Sequence, residues 1–468
     1  MGLIYKTNIN SFKSDKFMRL DIKYRILSDK YNFNLWNIKD TNALSTYITK
    51  IQSKQIKKGK LDKKYKLIDL KSIEPKINSL NNVEEVLEIG SDKAILQYGD
   101  IVIPKLEPQK GQIFLNIEHN QYIASTELIE YTINTNLIIE KFLYYILVSP
   151  IMLKAYSYLE SGKTHRRVQI EDLLKIQIPN IDLAIQKKAI KQIEPIEQEI
   201  QNLKSQKKEH LEIINDVFSE ELDFDFQNLE QEKNKKFFKA KFSDFSNDEF
   251  KFDISLKDKL VFEKEINKST NEWLTLNDIV IIKGGKRLPK GETVIDDDTG
   301  YMYIRVDDLN NNGLFNYNNI KFITHKNHLK IQKYIAYTDD ILLTIVGATV
   351  GKCGLVPKEL NNQNITENFA RLIIKNKNLF LPQYILYCLQ SKIVKLQIDE
   401  FTGKGSQGKL ALFRIKKIKI PFFEKNKQQQ IVDKITTKID AQKEIDKQIE
   451  QKQKQIGKII EDCIKGKS

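Results

Sequence analysis

The sequence predicts an α+β protein: two mixed α/β domains in tandem repeat, each followed by a long helix, the two helices pairing as an antiparallel coiled coil. Three observations predict it. "KIQIPNIDLAIQKKAI" (175–190) lines up with "KIKIPFFEKNKQQQIV" (417–432). Each of these segments opens a long polar stretch threaded by a narrow apolar seam. Each is preceded by short β-like runs bounded by turn residues, such as "AILQYGDIVIP" and "YIAYTDDILLTIV".

The repeat sets the order of elements. Pro179 and Pro421 lie 242 residues apart, and the same shift aligns Ser149 with Ser391, Gln186 with Gln428 and Ile193 with Ile435. Upstream the shift shrinks: "YGDIVI" meets "TDDILL" with Asp100 on Asp340, Trp36 meets Trp273, and "RLDIKY" (19–24) meets "KFDISL" (251–256). A few short insertions explain the drift, so the chain reads as two copies of one unit of about 230 residues. Within each copy the order is a mixed globular part, a helix ("EKFLYYILVSP" or "LPQYILYCLQS"), a Gly-containing basic loop, an Ile-Pro strand and a long helix. The expected boundaries are a first domain over 1–181, a first helix over 182–222, a second domain over 223–424 and a second helix over 425–468.

The long helices follow from 3-4 spacing. Ile193, Ile196, Ile200, Leu203, Lys207, His210, Ile214 and Val217 form one seam; Gln442, Ile445, Ile449, Lys452, Ile456, Ile459 and Cys463 form the other. Lys207 and His210 are polar seam positions suited to fixing register. Pro195 predicts a kink near Gln192. A helix from Asp182 to Phe218 would span about 54 Å at 1.5 Å per residue, or at most about sixteen base pairs of duplex.

Composition narrows the function. A net charge of +14 favours a polyanionic partner, although a chain rich in Lys, Asn and Ile owes part of that charge to coding bias. Three scattered cysteines make neither a disulfide framework nor a zinc site, which points to a reducing cytoplasm. The apolar run 142–153 is too short to span a bilayer, and the first residues lack a signal peptide's apolar block, so no membrane partner is expected.

Phosphate-loop look-alikes fail on inspection. "ESGKTHRR" (160–167) ends like a P-loop, but the first glycine would fall on Ser157 and the preceding segment reads as helix. "VGATVGKCG" (346–354) is too short between its glycines and reads as a hairpin or bulge. The histidines of "HKNH" (325–328) read as solvent-facing loop residues rather than metal ligands. No catalytic pattern emerges, and no metal or cofactor is assigned to this chain.

Against that background the chain resembles the specificity (S) subunit of type I restriction–modification systems. The resemblance rests on "EWLTLNDIVIIKGGKRLPKG" (272–291), "YIRVDDL" (303–309), "DDILLTIVGATVGKCGLV" (339–356), "ITENFARLII" (365–374) and "IKIPFFEKNKQQQIVDKI" (418–435). In the first half it rests on "RLDIKY", "YKLIDL" (65–70), "YGDIVIP" and "KIQIPNIDLAIQKKAI"; "KLEPQKGQIF" (105–114) stands where the second half has its Gly-x-x-x-Gly hairpin. The resemblance implies two target-recognition domains, each reading one half of a split double-stranded DNA sequence, with the helices fixing their spacing. It also implies two methyltransferase (modification) subunits and restriction/translocase subunits as partners, which bring S-adenosylmethionine, ATP and Mg. The chain itself would be non-catalytic. The alternative is an assembly scaffold that does not itself read DNA.

DNA readers need cations for phosphates and amide or guanidinium groups for base edges. The candidates in the first copy are Lys105, Lys110, Lys163, Thr164, His165, Arg166 and Arg167. In the second they are Lys283, Lys286, Arg287, Lys290, Thr349, Lys352, Lys404, Ser406, Gln407 and Lys409. Gln407 suits adenine, and Gly403, Gly405 and Gly408 would let the backbone approach DNA closely.

Overall fold

A computed structural model describes residues 21–81, 83–96, 100–116, 118, 120–162, 166–223, 263, 266, 269, 271–402 and 408–466. They fall into two compact units, 1–206 with 445–468, and 207–444. Neither long helix belongs wholly to the copy it follows in sequence.

In the first unit, Thr41–Ala43 pairs antiparallel with the Ile-Pro strand Gln177–Pro179. A four-stranded sheet follows the order Ile48–Lys50, Leu128–Ile133, Ile101–Pro104, Phe114–Leu115. A five-stranded sheet follows the order Lys54–Ile56, Lys93–Leu96, Tyr122–Ala124, Gly59–Ile68, Glu84–Ile89, with one parallel pair, Gly59–Ile68 with Tyr122–Ala124. The second unit repeats this. Trp273–Thr275 pairs with Lys419–Pro421. Val280–Gly284, Phe369–Ile374, Ile341–Thr344 and Cys353–Leu355 form the four-stranded sheet. Ile335–Ala336, Gln363–Ile365, Met302–Ile304 and Lys321–Phe322 form the other, again with one parallel pair, Met302–Ile304 with Gln363–Ile365. The two copies thus share a strand order, and the first adds one edge strand.

Strand register corrects one equivalence. Thr41 stands opposite Pro179 and Trp273 opposite Pro421. Trp273 therefore occupies the place of Thr41, not of Trp36. Trp36 lies five residues earlier and donates its indole N–H to the Gln177 carbonyl at 3.0 Å. The match of two rare residues was a coincidence of spacing; the shift in this region is 232, as Leu44 and Leu276 also show by donating to the Ile176 and Ile418 carbonyls at 2.8 Å.

One equivalence holds atom for atom. Gln186 accepts the Ile139 N–H (2.8 Å) and donates to the Leu137 and Ile181 carbonyls (3.2 and 2.8 Å). Gln428 accepts the Leu381 N–H (2.9 Å) and donates to the Leu379 and Phe423 carbonyls (2.8 Å each). Both amides are buried. Each satisfies backbone groups where three segments meet, which a buried loop otherwise leaves unpaired.

The helix expected over 182–222 is two helices, α1 (Leu183–Ser205) and α2 (His210–Leu222). Asp182 caps α1 by accepting the Ala184 N–H at 2.7 Å. The helix runs unbroken through Pro195, and the interruption falls at 206–209. The second long helix, α3 (Lys425–Ile464), is continuous over 40 residues. In the first unit α1 runs antiparallel to residues 445–464: Glu199 pairs with Lys452, and burial raises the pKa of the Cys463 thiol while the charge of nearby Lys188 opposes it. Ile193, Ile196, Ile200, Ile449, Ile456 and Cys463 are buried in this unit's core. In the second unit α2 runs antiparallel to residues 425–444, with Lys208 N–H on the Gln442 side chain (2.8 Å) and Glu221 on Lys427 (2.6 Å). Each fully buried isoleucine of these seams contributes roughly 1.5–3 kcal/mol of transfer free energy.

The "HKNH" segment is the short helix His325–Lys330, not a loop. The two histidines sit three apart, so the helix turns both rings onto Tyr301, at centroid distances of 5.1 and 4.4 Å. His328 is buried, with Nδ1 2.7 Å from Asn364 Oδ1, which corrects the solvent-facing expectation. "VGATVGKCG" closes the hairpin between Ile341–Thr344 and Cys353–Leu355, and Gly347 and Gly351 take positive φ there. The first copy closes its hairpin differently, with Glu107 at φ 48°, a turn over Pro108–Lys110 and Gly111 at φ 73°.

Among the described residues no single helix is long and apolar enough to cross a membrane. Glu140–Leu147 and Pro150–Leu159 pass only as a pair bent by 60°, and their apolar residues lie in the first unit's core.

Candidate nucleic-acid interface

The same two-bond bridge docks the end of the basic loop in each unit. In the first, Glu107 N–H donates to the Arg166 carbonyl (3.1 Å) and Val168 N–H to the Lys105 carbonyl (2.9 Å), with Arg167 bridged to Leu106. In the second, Gly347 N–H donates to the Gly408 carbonyl (3.1 Å) and Leu410 N–H to the Ile345 carbonyl (2.9 Å), with Lys409 bridged to Val346. Each loop therefore lies antiparallel beside the residues that leave the central strand Ile101–Pro104 or Ile341–Thr344. Arg167 and Lys409 occupy the same place, 242 residues apart.

This brings together Lys105, Lys110, Arg166 and Arg167 in the first unit. Lys163, Thr164 and His165 lie outside the described residues. Arg167 is already engaged: Nε and one terminal nitrogen meet the two Glu127 oxygens at 3.0 and 3.1 Å. That guanidinium holds the Glu127 carboxyl below its usual range. Arg166 is the freer of the two, 58% exposed and 3.9 Å from Glu160. Burial pushes the Glu160 carboxyl up, and Arg166 pulls it part of the way back. Lys105 is half-buried, and Lys110 pairs with Glu107.

In the second unit the segment after Val280–Gly284 joins the same neighbourhood. Gly285 N–H donates to the Phe369 carbonyl (3.0 Å), Lys286 N–H to the Ile365 carbonyl (3.1 Å), and Ile345 N–H to the Asn368 carbonyl (2.8 Å). A Cβ on Gly285 would sit 2.0 Å from the Thr366 carbonyl oxygen, so only glycine fits. Lys283, Lys286, Arg287, Lys290, Thr349 and Lys409 are exposed. Arg287 pairs with Glu367 yet remains 82% exposed, and the Lys286 ammonium stands 5.9 Å from the Tyr334 ring centroid. Lys352 is turned inward. Its ammonium donates to the Val306 and Leu309 carbonyls (3.0 and 2.6 Å), and burial lowers its pKa. Lys404, Ser406 and Gln407 lie outside the described residues, as do Gly403 and Gly405.

The sequence reading missed a lysine-rich strand. Lys60, Lys63, Lys64 and Lys66 are exposed on Gly59–Ile68, where residues 61–64 face Leu87 alone in a wide bulge. The signal was present as "KLDKKYK", without the flanking glycines that drew notice elsewhere. Among the described residues no group of three or more His, Cys, Asp or Glu is placed to hold a metal ion.

The two units thus match in strand order, and in each a basic residue, Arg167 or Lys409, is bridged to the residues that leave a central strand. Residues 268–455 match the family model described as "Type I restriction modification DNA specificity domain". The match lies in the second half of the chain, and the first half repeats the strand order of that half. No curated protein matches the chain. Solved structures that align with it include a chain from a type I restriction–modification complex (14% identity, 92% of this chain and 98% of that one, TM-score 0.45). The HsdS subunit of Thermoanaerobacter tengcongensis aligns at 14% identity (92% and 97%, TM-score 0.34). The S subunit of M. genitalium aligns at 16% (92% and 96%, TM-score 0.35).

Proposed function

We propose that this chain is the non-catalytic DNA-specificity subunit of a type I restriction–modification complex, each unit reading one half of a bipartite duplex target. The observation that supports the reading is the repeated bridge that docks Arg167 and Lys409 beside the same strand end in the two units. Arg166 is the side chain best placed to reach a base edge, because Arg167 already spends its fork on Glu127. Lys283, Lys286, Lys290 and Lys409 supply phosphate contacts, which position without specifying. Arg287 and Thr349 accompany them in the second unit, Lys105 and Lys110 accompany Arg166 in the first, and Lys352 supports the hairpin from inside. The paired helices set the separation of the half-sites and offer surface to two methyltransferase subunits. Restriction/translocase subunits join that core, and S-adenosylmethionine, ATP and Mg act in those partners.

Methylome sequencing of the host with and without the gene tests this. Deletion removes one bipartite methylated motif, and Arg166→Ala blurs one half of it while the other half stays sharp. An unchanged methylome in an active host defeats the reading, and a chain that shifts no duplex at low salt, with or without partners, makes it a scaffold instead.

A further inference from the structure

An exposed residue has less packing to hold its identity than a buried one, so an exposed stretch that is the same in both copies needs another reason. Asn134, Asn136 and Leu137 of the first copy recur 242 residues later as Asn376, Asn378 and Leu379. All six are exposed, Leu137 at 41% and Leu379 at 49%. The intervening residue differs, Thr135 against Lys377. Lys175 and Lys417 also match on the surface, but in so lysine-rich a chain that match carries little weight.

The two turns share a geometry. Leu137 N–H donates to the Asn134 carbonyl (3.0 Å), and Leu379 N–H to the Asn376 carbonyl (3.2 Å). Beneath each turn the buried glutamine amide holds the leucine's own carbonyl, at 3.2 Å from Gln186 and 2.8 Å from Gln428. Turn chemistry accounts for the first asparagine, since Asn376 Oδ1 accepts the Asn378 N–H at 2.9 Å. It does not account for a leucine side chain that faces water while its backbone is clamped. The loops proposed to read DNA have meanwhile diverged, "ESGKTHRR" against "EFTGKGSQGK". Two half-sites differ, so their readers differ; a partner met twice requires the same surface twice.

We infer that the Asn-x-Asn-Leu turns are equivalent docking points for two copies of one protein partner, each leucine entering an apolar pocket rimmed by groups that pair with the asparagine amides. The inference rests on the proposed function, in which that partner is the methyltransferase subunit. It adds that the contact is made through the globular turns as well as the helices.

The test uses the full chain, tagged and purified from its host, with native mass spectrometry to count companions. Methyltransferase copies are recognised by photo-crosslinking to labelled S-adenosylmethionine. The wild-type chain carries two. Leu137→Asp and Leu379→Asp each weaken one site about tenfold or more, leaving one copy at concentrations that saturate the wild type, and the double variant carries none. Leu137→Met with Leu379→Met restores two. Unchanged tryptophan fluorescence shows that the units remain folded, and the milder Leu→Ser pair serves if the aspartates do not fold. A folded double variant that still binds two copies with unchanged affinity overturns the inference and leaves the proposed function standing. A wild-type chain with no crosslinking companion overturns both. A wild-type chain dimer lost in the double variant means the occupant is a second copy of this chain, which also overturns it.

Discussion

The two copies differ most where their strand orders agree. Leu342 pairs with Arg371 as Val102 pairs with Glu130. In the second copy Arg371 Nε meets Asp340 at 2.6 Å, its NH1 donates to the Ile335 carbonyl at 2.5 Å, and its guanidinium stands 4.9 Å from the Tyr337 ring centroid. The first copy has two acids at these places, Asp100 and Glu130, and Asp100 instead accepts the Ile133 N–H at 2.6 Å. A second contrast lies where a helix meets the core. Asn215 accepts the Lys392 N–H at 2.8 Å in the second unit. Gly457 and Pro150 stand at the corresponding places in the first, and there a cavity of about 330 Å³ opens, lined among others by Tyr145, Ser149, Pro150 and Gly457. Backbone pairing and the glutamine clamps are therefore what the architecture demands; the side chains around them were free to diverge.

That contrast can be broken by removing the ion pair. Arg371→Leu leaves Asp340, 7% exposed, with an uncompensated charge beside an apolar side chain. The expected loss is about 3–5 kcal/mol, the usual result of deleting one partner of a buried pair. The sequence supplies its own reporters, since Trp36 belongs to the first unit and Trp273 to the second. Denaturant unfolding followed through Trp273 in a Trp36→Phe background shows the loss. A change below about 1 kcal/mol would mean that the pair contributes nothing its acidic counterparts lack.

The glutamine clamps sharpen the other side of the comparison. Gln186→Leu and Gln428→Leu each strand buried backbone groups, at about 2–3 kcal/mol. Because the three bonds match atom for atom, the two losses should agree within about 1 kcal/mol, each read by its own unit's tryptophan. Unequal losses would show that the copies use the clamp differently.

What was legible in the sequence follows from what is local or periodic. The Ile seams were readable because 3-4 spacing alone fixes which face is buried, and the Gln186–Gln428 match was readable because no gap intervenes. The break at 206–209 was not, since "SQKKEH" holds neither proline nor glycine, while Pro195 drew attention to a turn that α1 passes through. The engagement of Arg167 was hidden because Glu127 lies 40 residues away, and side-chain pairing across strands leaves no periodic trace. The inward bonds of Lys352 were hidden for the same reason: nothing in a glycine-rich hairpin sequence tells that its ammonium meets two carbonyls more than forty residues away.

The smallest expected effect concerns one seam position. His210 and Lys452 are repeat-equivalent. Lys452 pairs with Glu199 in the first unit, while His210 is half-buried beside Gln390, with Nε2 3.3 Å from Oε1. Burial lowers the His210 pKa from the usual 6.5, and Lys443 acts in the same direction against the bond to Gln390. The unfolded chain therefore takes up a proton first as pH falls. The stabilisation is whole above about pH 6.5 and is lost as pH drops from there through the folded value, with a slope of at most about 1.4 kcal/mol per pH unit. Trp273-detected unfolding of the second unit should show this loss, and His210→Gln should remove that component. The first unit, with an ion pair at the same place, should not share it. A His210→Gln profile that still matches the wild type would assign the pH dependence to other groups and leave the seam histidine as a packing residue.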